Sequence, residues 1–384
     1  KNEKMKKAIL LASLILAFIS GRAQNVKDSI YTENFKKMRE AEFNSLKDPE
    51  TNTIRYDLIY QSLKNRNKKT RTGSALRWSE VGPKNVAGRV SELAFAKGTF
   101  KPFAGGDMGG VWTNPGLPTN LDWLQLTPDD FNYYNISTIA TDPSNSNIVY
   151  FSTGKLFGNV NDKPGVGIFK STDAGVIWSL IHVTDPSYNG NRTSYITKIK
   201  VANNGDVFVA TSSKWPITAD TNGVFILNAA NTTLTNVIGS DFNSIGFDID
   251  RSSNGDMWVS CLDDPNSSSH GGIYRFTWNG TKWTKITQPA WGNLPVNAIT
   301  TRIELACAPS DPNIVFALFA HGNTTVSVYK TYDGVSPSGG SSHWNKCTNP
   351  QITVTDFASQ ATRDLAIVVD PNNRNIVYIG SFNV

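Results

Sequence analysis

Arginine is the residue type whose spacing first suggests ligand chemistry in this sequence. Arg89, Arg302 and Arg363 recur at the same point of a repeating unit, where its first apolar segment begins. A guanidinium group forms paired hydrogen bonds with a carboxylate, so three of them around one opening would favour a uronic or sialic acid. Alternatively, each arginine pairs with a neighbouring acid. The acids available for this are Glu92, Glu304 and Asp364.

A second group of candidate ligand-binding residues lies between the second and third apolar segments of the units. These residues offer aromatic, acidic, basic or imidazole side chains to a polar ligand. They are Asp107, the stretch 155–162, Trp215, Asp263, Asp264, His270 and His321. In an antiparallel four-stranded meander, such connections lie at the same end as the starts of the first strands. We therefore predict a ligand site on that face, built from these residues and the three arginines.

Several other kinds of chemistry lack their motifs. The histidines are isolated in sequence, and no zinc-protease, Ser/His/Asp or phosphate-binding glycine motif occurs. Cys261, Cys307 and Cys347 have no metal-ligand spacing and permit at most one disulfide. Asp- and Asn-rich turns are compatible with Ca²⁺, but no complete calcium loop is present. The sequence therefore predicts no cofactor and no metal.

The N-terminal region has the pattern of an export signal. Residues 1–23 combine a basic start, an apolar run of about twelve residues from Ala8 to Ile19 and a small-residue exit, and Met5 is the expected start. A membrane-spanning helix needs roughly 20 apolar residues, so we expect no transmembrane segment. We predict a signal peptide over 1–23 and a secreted or cell-surface protein, with a composition that resembles Bacteroidetes proteins.

The net charge of +5 comes mostly from that N-terminal region. Residues 24–384 hold 32 basic and 31 acidic side chains, and the excess of basic residues lies in 24–77. A nucleic-acid partner is therefore not expected. Apolar residues at loosely helical spacing predict a short helical, charged leader and linker over 24–77.

From Trp78 onward, short apolar segments alternate with turns rich in Gly, Asn, Asp and Pro. The segment from Ile139 to Tyr150 is matched by the segment from Ile367 to Tyr378, and each is a strand, a turn and a strand. The second half of each unit opens with Gly, an aliphatic residue and an aromatic residue, as at Gly167. The two halves predict four-stranded units with inner strands starting near residues 89, 135, 193, 243, 302 and 363. This is an all-β fold, a β-propeller of four-stranded blades.

About five and a half blades are present over 78–384, so we expect an incomplete ring, truncated at the C-terminus. The missing C-terminal part of the same protein is then a predicted partner. Trp78 is expected to begin a strand that closes the last blade. An open ring leaves a strand edge unpaired, which favours aggregation.

The most complete motif is Ser-x-Asp-x-Gly-x-x-Trp, formed by Ser171, Asp173, Gly175 and Trp178. A degenerate copy keeps Asp333 and Trp344, and the closing aromatic alone survives at Trp123 and Trp283. The motif resembles the Asp-box (BNR) repeat of sialidases, xyloglucan-cleaving glycoside hydrolases and sortilin-type receptors, and the chain as a whole resembles exported bacterial propellers. The serine and aspartate are expected to hold a turn through backbone N–H groups, so Asp173 is a structural residue.

A further resemblance concerns Asp107. The stretch Gly-Asp-Met-Gly-Gly-Val-Trp at 106–112 is similar to the Asp-x-Gly-Gly-x-Tyr/Trp segment of xyloglucan-cleaving hydrolases. That resemblance implies a catalytic aspartate whose partner carboxyl comes from a second propeller. Glycosidic cleavage needs the two carboxyl groups roughly 5 to 9.5 Å apart. The alternative is that Asp107 only stabilises its loop.

These observations leave three functions open. The main interpretation is a secreted or surface propeller that binds a glycan or protein ligand through one face. The first alternative is a xyloglucanase-like glycoside hydrolase that acts on extracellular polysaccharide with Asp107, and the second is a sortilin-like peptide receptor. Sialidase activity is not expected, because no Arg-Ile-Pro segment occurs and the Tyr/Glu nucleophile pair of sialidases has no counterpart.

Overall fold

The computed structural model divides the chain into two compact units, Lys1–Ile59 and Tyr60–Val384. Only residues 48–50 of the first unit are described. The described residues of the second unit are 89–99, 101–107, 109–116, 119, 122–127, 135–154, 165–183, 195–212, 223–231, 233–238, 245–262, 272–286, 294, 300–321, 325–331, 344–347 and 365–381. The predicted signal peptide and nearly all of the predicted helical leader lie outside these ranges.

The described part of the chain contains strands and no helix. The strands are β1 Val90–Phe95, β2 Pro102–Gly106, β3 Gly110–Thr113, β4 Leu124–Gln125, β5 Ile136–Thr141, β6 Val149–Thr153, β7 Gly167–Ser171, β8 Ser179–Val183, β9 Tyr195–Val201, β10 Val207–Ser212, β11 Gly223–Leu227, β12 Leu234–Ile238, β13 Ile245–Arg251, β14 Met257–Leu262, β15 Gly272–Trp278, β16 Trp283–Ile286, β17 Thr300–Cys307, β18 Val315–His321, β19 Thr325–Thr331, β20 Trp344–Lys346, β21 Leu365–Val369 and β22 Val377–Ser381. The fold is all-β.

Consecutive strands pair antiparallel into five four-stranded sheets and one two-stranded sheet. We call β1–β4 blade 1, β5–β8 blade 2, β9–β12 blade 3, β13–β16 blade 4 and β17–β20 blade 5. The first strands of successive blades lie side by side, from β1 through β5, β9, β13 and β17 to β21. This arrangement is a β-propeller with five complete blades, as the repeats predicted. The inner strands begin within two residues of the expected positions.

The turns between first and second strands explain why the repeats are visible in the sequence. In blade 2 the Asp142 carboxylate accepts hydrogen bonds from the N–H groups of Ser144 and Asn145 at 2.7 and 3.1 Å. In the last hairpin Asp370 accepts from Asn372 and Asn373 at 2.9 and 3.0 Å. Short polar side chains stabilise such turns by bonding to the backbone ahead of them. The two best-matched sequence segments therefore fold into the same turn.

The core lies between blades. The second strand of each blade carries an aromatic residue in its first half. These residues are Phe103, Tyr150, Phe208, Trp258 and Phe316, and none is more than 4% exposed. Phe208 of blade 3, for example, packs with Ile249 and Val259 of blade 4. The equivalent residue of the last hairpin, Tyr378, is 57% exposed. Burial of this aromatic side chain therefore depends on the following blade.

The strand directions define two ends of the blades. The turns between first and second strands and between third and fourth strands lie at one end, which we call the turn face. The connections between second and third strands lie at the opposite end, the loop face. No helix in the described part of the chain is long and apolar enough to cross a membrane.

Candidate functional site

Asp107 lies on the loop face, in the turn between β2 and β3. Its N–H donates to the Arg89 carbonyl oxygen at 2.9 Å, and its Oδ2 lies 4.0 Å from Arg89 Nε. The aspartate side chain is 16% exposed and the arginine side chain 41% exposed. The turn is compact, because Trp112 Nε1 donates back to the Gly109 carbonyl oxygen at 2.6 Å. A partly accessible carboxylate is thus held next to a guanidinium group.

The other predicted loop-face residues are placed only in part. Arg302 Nε lies 2.6 Å from Glu304 Oε1, and its Nη2 donates to the Leu365 carbonyl oxygen at 3.2 Å. This is the pairing with a neighbouring acid that the sequence left open. The His321 ring lies 3.0 Å from Ser327 Oγ. Those outside the described residues are Arg363, Trp215, Asp263, Asp264, His270 and the stretch 155–162. Ligand binding by the whole predicted set stays a prediction.

Five charged side chains on the inner strands form a cluster that sequence reasoning missed. We call Glu92, Lys198, Asp248, Arg302 and Glu304 the inner-strand charge cluster. Lys198 Nζ lies 2.5 Å from Glu92 Oε1 and 3.2 Å from Asp248 Oδ1, so blade 3 is ion-paired to blades 1 and 4. All five side chains are less than a quarter exposed.

Hydrogen bonds extend the cluster from blade to blade. Asp248 Oδ2 accepts from the Leu305 N–H of the next blade at 2.8 Å. Thr138 Oγ1 donates to Glu92 Oε2 and accepts from the Ile199 N–H at 3.3 Å. Because these contacts join inner strands that do not share a sheet, they fix the blades relative to one another around the axis.

Two groups of the cluster have shifted pKa values. Burial lowers the pKa of Lys198, but the charges of Asp248, Glu92 and Glu304 outweigh burial and raise it well above its ordinary value. The pKa of Glu304 is raised to about 7, because burial and the nearby Asp248 charge outweigh Arg302 and Lys198, which lower it. Three carboxyl groups thus share two cations, and the third carboxyl favours a proton.

The pKa of Glu304 predicts a pH-dependent stability. The folded protein holds a proton that the unfolded chain releases above its ordinary pKa of 4.5. This contribution is fully present at low pH and is lost as pH rises from about 4.5 to about 7, amounting to at most about 3 kcal/mol. We expect Glu304→Gln to abolish that part of the pH dependence in urea unfolding measured at pH 5 and pH 7.5. If the free energy of unfolding changes equally between pH 5 and pH 7.5 in the variant and the unaltered protein, the prediction is wrong.

The signal for the cluster is present in the sequence. Three inner strands contain a buried isoleucine with one charged residue on each side of it. The segments are Lys198-Ile-Lys200, Asp248-Ile-Asp250 and Arg302-Ile-Glu304. In a strand, alternate residues point to the same face. Charges on one face of a strand whose other face is buried therefore indicate partners on the neighbouring blades.

A cavity of about 720 Å³ lies at the turn-face end of the inner strands. One wall is polar and includes Lys200 and Asp250, which are ion-paired at 2.7 Å. The lining also includes Leu93, Phe95 and Val368, which are all more than half exposed. The cavity and Asp107 therefore lie toward opposite ends of the blades.

The turn between β7 and β8 is held by hydrogen bonds from backbone N–H groups to the side chains of Ser171 and Asp173. Asp173 Oδ1 accepts from the N–H groups of Val176 and Ile177 at 3.0 and 2.9 Å, and Ser171 Oγ accepts from Gly175 N–H at 2.8 Å. The Ile177 N–H and the Ser171 hydroxyl lower the pKa of Asp173. With its carboxylate occupied by the turn, Asp173 has a structural role.

Trp178, Trp283 and Trp344 pack into the core between blades, whereas Trp123 is 40% exposed. Trp178 lies edge-on to Phe151 with ring centroids 4.7 Å apart. Trp283 meets Phe208 at 4.9 Å and Trp344 meets Trp258 at 6.2 Å, each across a blade junction. Asp333 lies outside the described residues.

Glycine at 175 allows a matched test of this turn. Gly175 has φ +94°, and a Cβ there would lie 2.5 Å from Leu126 Cδ1. Gly280 in blade 4 has φ +95°, but nothing lies within 4 Å of its Cβ position. We expect Gly280→Ala to cost about 1 kcal/mol from backbone strain and Gly175→Ala at least about 2 kcal/mol, because it adds a clash. Urea unfolding measures both, and equal losses would refute the role of the Leu126 contact.

Sequence comparisons with known proteins found one curated relative. No family model matches the chain. A xyloglucanase from Paenibacillus sp. is 28% identical over 230 residues, which are 51% of this chain and 21% of the relative, so the chain spans about a fifth of that protein.

Among solved structures, an ancestral GH74 enzyme aligns with 80% of this chain at a TM-score of 0.53 and 17% identity, and 36% of the enzyme is covered. The GH74 enzyme of Niastella koreensis covers 77% of this chain, with 51% of the enzyme covered, at a TM-score of 0.43 and 18% identity. The first of these two alignments supports the propeller fold independently of the strand topology.

Proposed function

We propose that this chain is the propeller part of a secreted glycoside hydrolase that acts on extracellular polysaccharide, with Asp107 as one of its two carboxyl groups. The observation that carries the proposal is the position of Asp107, partly accessible in a compact loop-face turn beside Arg89. The similarity to a xyloglucanase supports the choice of reaction and makes xyloglucan the first substrate to test.

Glycosidic cleavage requires only that the turn hold the Asp107 carboxyl group in position. A carboxylate acts as general acid or base when it is held within hydrogen-bond reach of the glycosidic oxygen or of a water. The bond from Asp107 N–H to the Arg89 carbonyl oxygen fixes the aspartate backbone, and the Arg89 guanidinium limits where the carboxylate can point. The second carboxyl group must lie roughly 5 to 9.5 Å away. The resemblance assigns it to a second propeller.

The direct test is polysaccharide cleavage by the natural secreted protein. Xyloglucan, mixed-linkage β-glucan and a polyuronide are each incubated with the protein, and new reducing ends are counted. We expect release from xyloglucan and little from the polyuronide. Absence of turnover on every polymer would overturn the proposal.

A glycan-binding propeller without turnover is the second candidate. The observation that favours it is the ion pair between Arg89 and Asp107, because an aspartate that is paired with an arginine can serve to stabilise its loop without taking part in a reaction. Affinity electrophoresis through gels containing the same polymers separates the two candidates, because a binding module is retarded by a polymer that it does not cleave. The sortilin-like receptor function stays a prediction.

A further inference from the structure

The turn between β15 and β16 in blade 4 and its counterpart in blade 2 can be aligned on their closing tryptophans. In blade 2, Asp173 stands five residues before the closing Trp178, and in blade 4 Trp278 stands five residues before Trp283. Gly175 and Gly280, each three residues before the closing tryptophan, have similar positive φ values of +94° and +95°. The strands differ, because Trp278 pairs with Trp283 inside the sheet whereas Asp173 lies beyond the end of β7. At the same spacing from the closing tryptophan, blade 4 thus carries an indole and blade 2 a carboxylate that holds its turn.

A neighbouring residue performs the lost structural role. Asn279 Oδ1 accepts hydrogen bonds from the N–H groups of Thr281 and Lys282 at 3.0 and 2.9 Å. Thr281 and Lys282 stand at the positions of Val176 and Ile177, whose N–H groups bond to Asp173 in blade 2. Since Asn279 supplies both bonds, the hydrogen bonds of the turn do not depend on the side chain at 278.

The side chain of Trp278 is partly exposed to solvent and packs against Trp283. It is 38% exposed, and its ring lies 5.3 Å from the ring of Trp283 at an angle of 48°. Trp283 is itself fixed, because its Nε1 donates to Asp206 Oδ2 at 2.9 Å and its ring packs edge-on to Phe208. The Thr281 hydroxyl and the Lys282 ammonium group lie on exposed residues of the same turn.

We propose that Trp278 is a stacking platform for a pyranose ring of a β-linked glucan, on the face of the propeller opposite Asp107. The indole face is negatively polarised and attracts the C–H groups of a sugar ring, which carry partial positive charge. The Lys282 ammonium group can donate to its hydroxyl groups, and the Thr281 hydroxyl, which donates to Asn279 Oδ1 at 2.9 Å, can still accept a hydrogen bond from them. The choice of ligand rests on the proposed function, whereas the platform is defined by the structure of the turn. Its role is to keep the protein on its polymer while the loop face carries out cleavage.

The test compares retardation of the full chain in native gels containing xyloglucan. Trp278→Asp removes the indole, and the Asn279 hydrogen bonds that hold the turn do not involve the side chain at 278. Trp278→Phe keeps an aromatic face. The matched control is Val176→Ser with Ile177→Ser, which removes two apolar side chains of the blade 2 turn that are even more exposed than Trp278.

We expect Trp278→Asp to weaken xyloglucan binding by roughly threefold to tenfold, Trp278→Phe to weaken it less, and the control to bind like the unaltered chain. Equal binding by Trp278→Asp and the unaltered chain, or equal losses in Trp278→Asp and the control, would overturn the inference. A loss accompanied by a lower unfolding midpoint would also count against it, because that is the result of a purely structural indole pair.

Hydrolysis is measured separately on short soluble oligosaccharides with the natural secreted protein, where Trp278→Asp is expected to leave turnover unchanged. Adsorption that depends on Trp278 without any hydrolysis would refute the hydrolase proposal and leave the platform standing. Hydrolysis together with adsorption that is independent of Trp278 would refute the platform and leave the hydrolase proposal standing.

Discussion

Asp107→Asn is expected to lower the turnover of xyloglucan by the protein by about 10²- to 10⁴-fold, the range for loss of a general acid or base. Asparagine keeps the size of the side chain and the backbone bond from residue 107 to the Arg89 carbonyl oxygen, so the turn should survive. It cannot exchange a proton with the glycosidic oxygen or a water. The loss should appear in kcat, with KM nearly unchanged, because substrate contacts elsewhere are retained.

A matched control is Asp370→Asn, which makes the same chemical change in the turn between β21 and β22. The Asp370 carboxylate accepts two backbone N–H bonds there, and the amide oxygen of asparagine can accept them as well. Turnover by the control should equal that of the unaltered protein. If Asp107→Asn also retains full turnover, Asp107 is a loop residue and the glycan-binding candidate becomes the better one.

The fold was predictable because each blade is encoded locally. A strand, a turn of short polar residues and a second strand recur with the same residue types, and the turn bonds at Asp142 and Asp370 show why those types recur. The bonds of Ser171 and Asp173 were predictable for the same reason, since donor and acceptor lie within four residues of each other.

The charge cluster was harder to predict, because its members come from different blades. Glu92 and Lys198 meet although they belong to blades 1 and 3, and the sequence period gives no angle between blades. The prediction for Arg302 left open both ligand binding and pairing with an acid. In the structure Arg302 pairs with Glu304 of its own strand, and the packing of β17 beside β21 adds the bond to the Leu365 carbonyl oxygen. Local sequence patterns thus define a blade, whereas the site depends on how blades face one another.

Lys198→Met is expected to have the largest effect on stability. Its ammonium group lies between Glu92 and Asp248, and removing one partner of a buried ion pair costs about 3 to 5 kcal/mol, because the remaining charge is left in a poorly solvated place. Many domains have a total stability of only about 5 to 15 kcal/mol. The urea unfolding midpoint of the variant should therefore fall strongly at pH 7.5.

Lys200→Met is the matched control, because Lys200 lies on the same strand and pairs with Asp250 at 2.7 Å but is more exposed, at 34% against 21%. A more solvated pair contributes roughly 1 kcal/mol or less. Adding Glu92→Gln to Lys198→Met should recover part of the loss, since it removes one of the carboxylates left without its cation. Equal midpoints for the two lysine variants would show that the cluster does not join the blades.

The effect should also reach the loop face. Glu92 lies on β1, three residues after Arg89, whose carbonyl oxygen holds the Asp107 backbone. Freeing Glu92 from Lys198 therefore loosens the strand that positions the candidate catalytic carboxylate. We expect Lys198→Met to reduce xyloglucan turnover at temperatures where it remains folded, and Lys200→Met to leave turnover unchanged. Full activity of folded Lys198→Met would separate the stabilising role of the cluster from the geometry of the site.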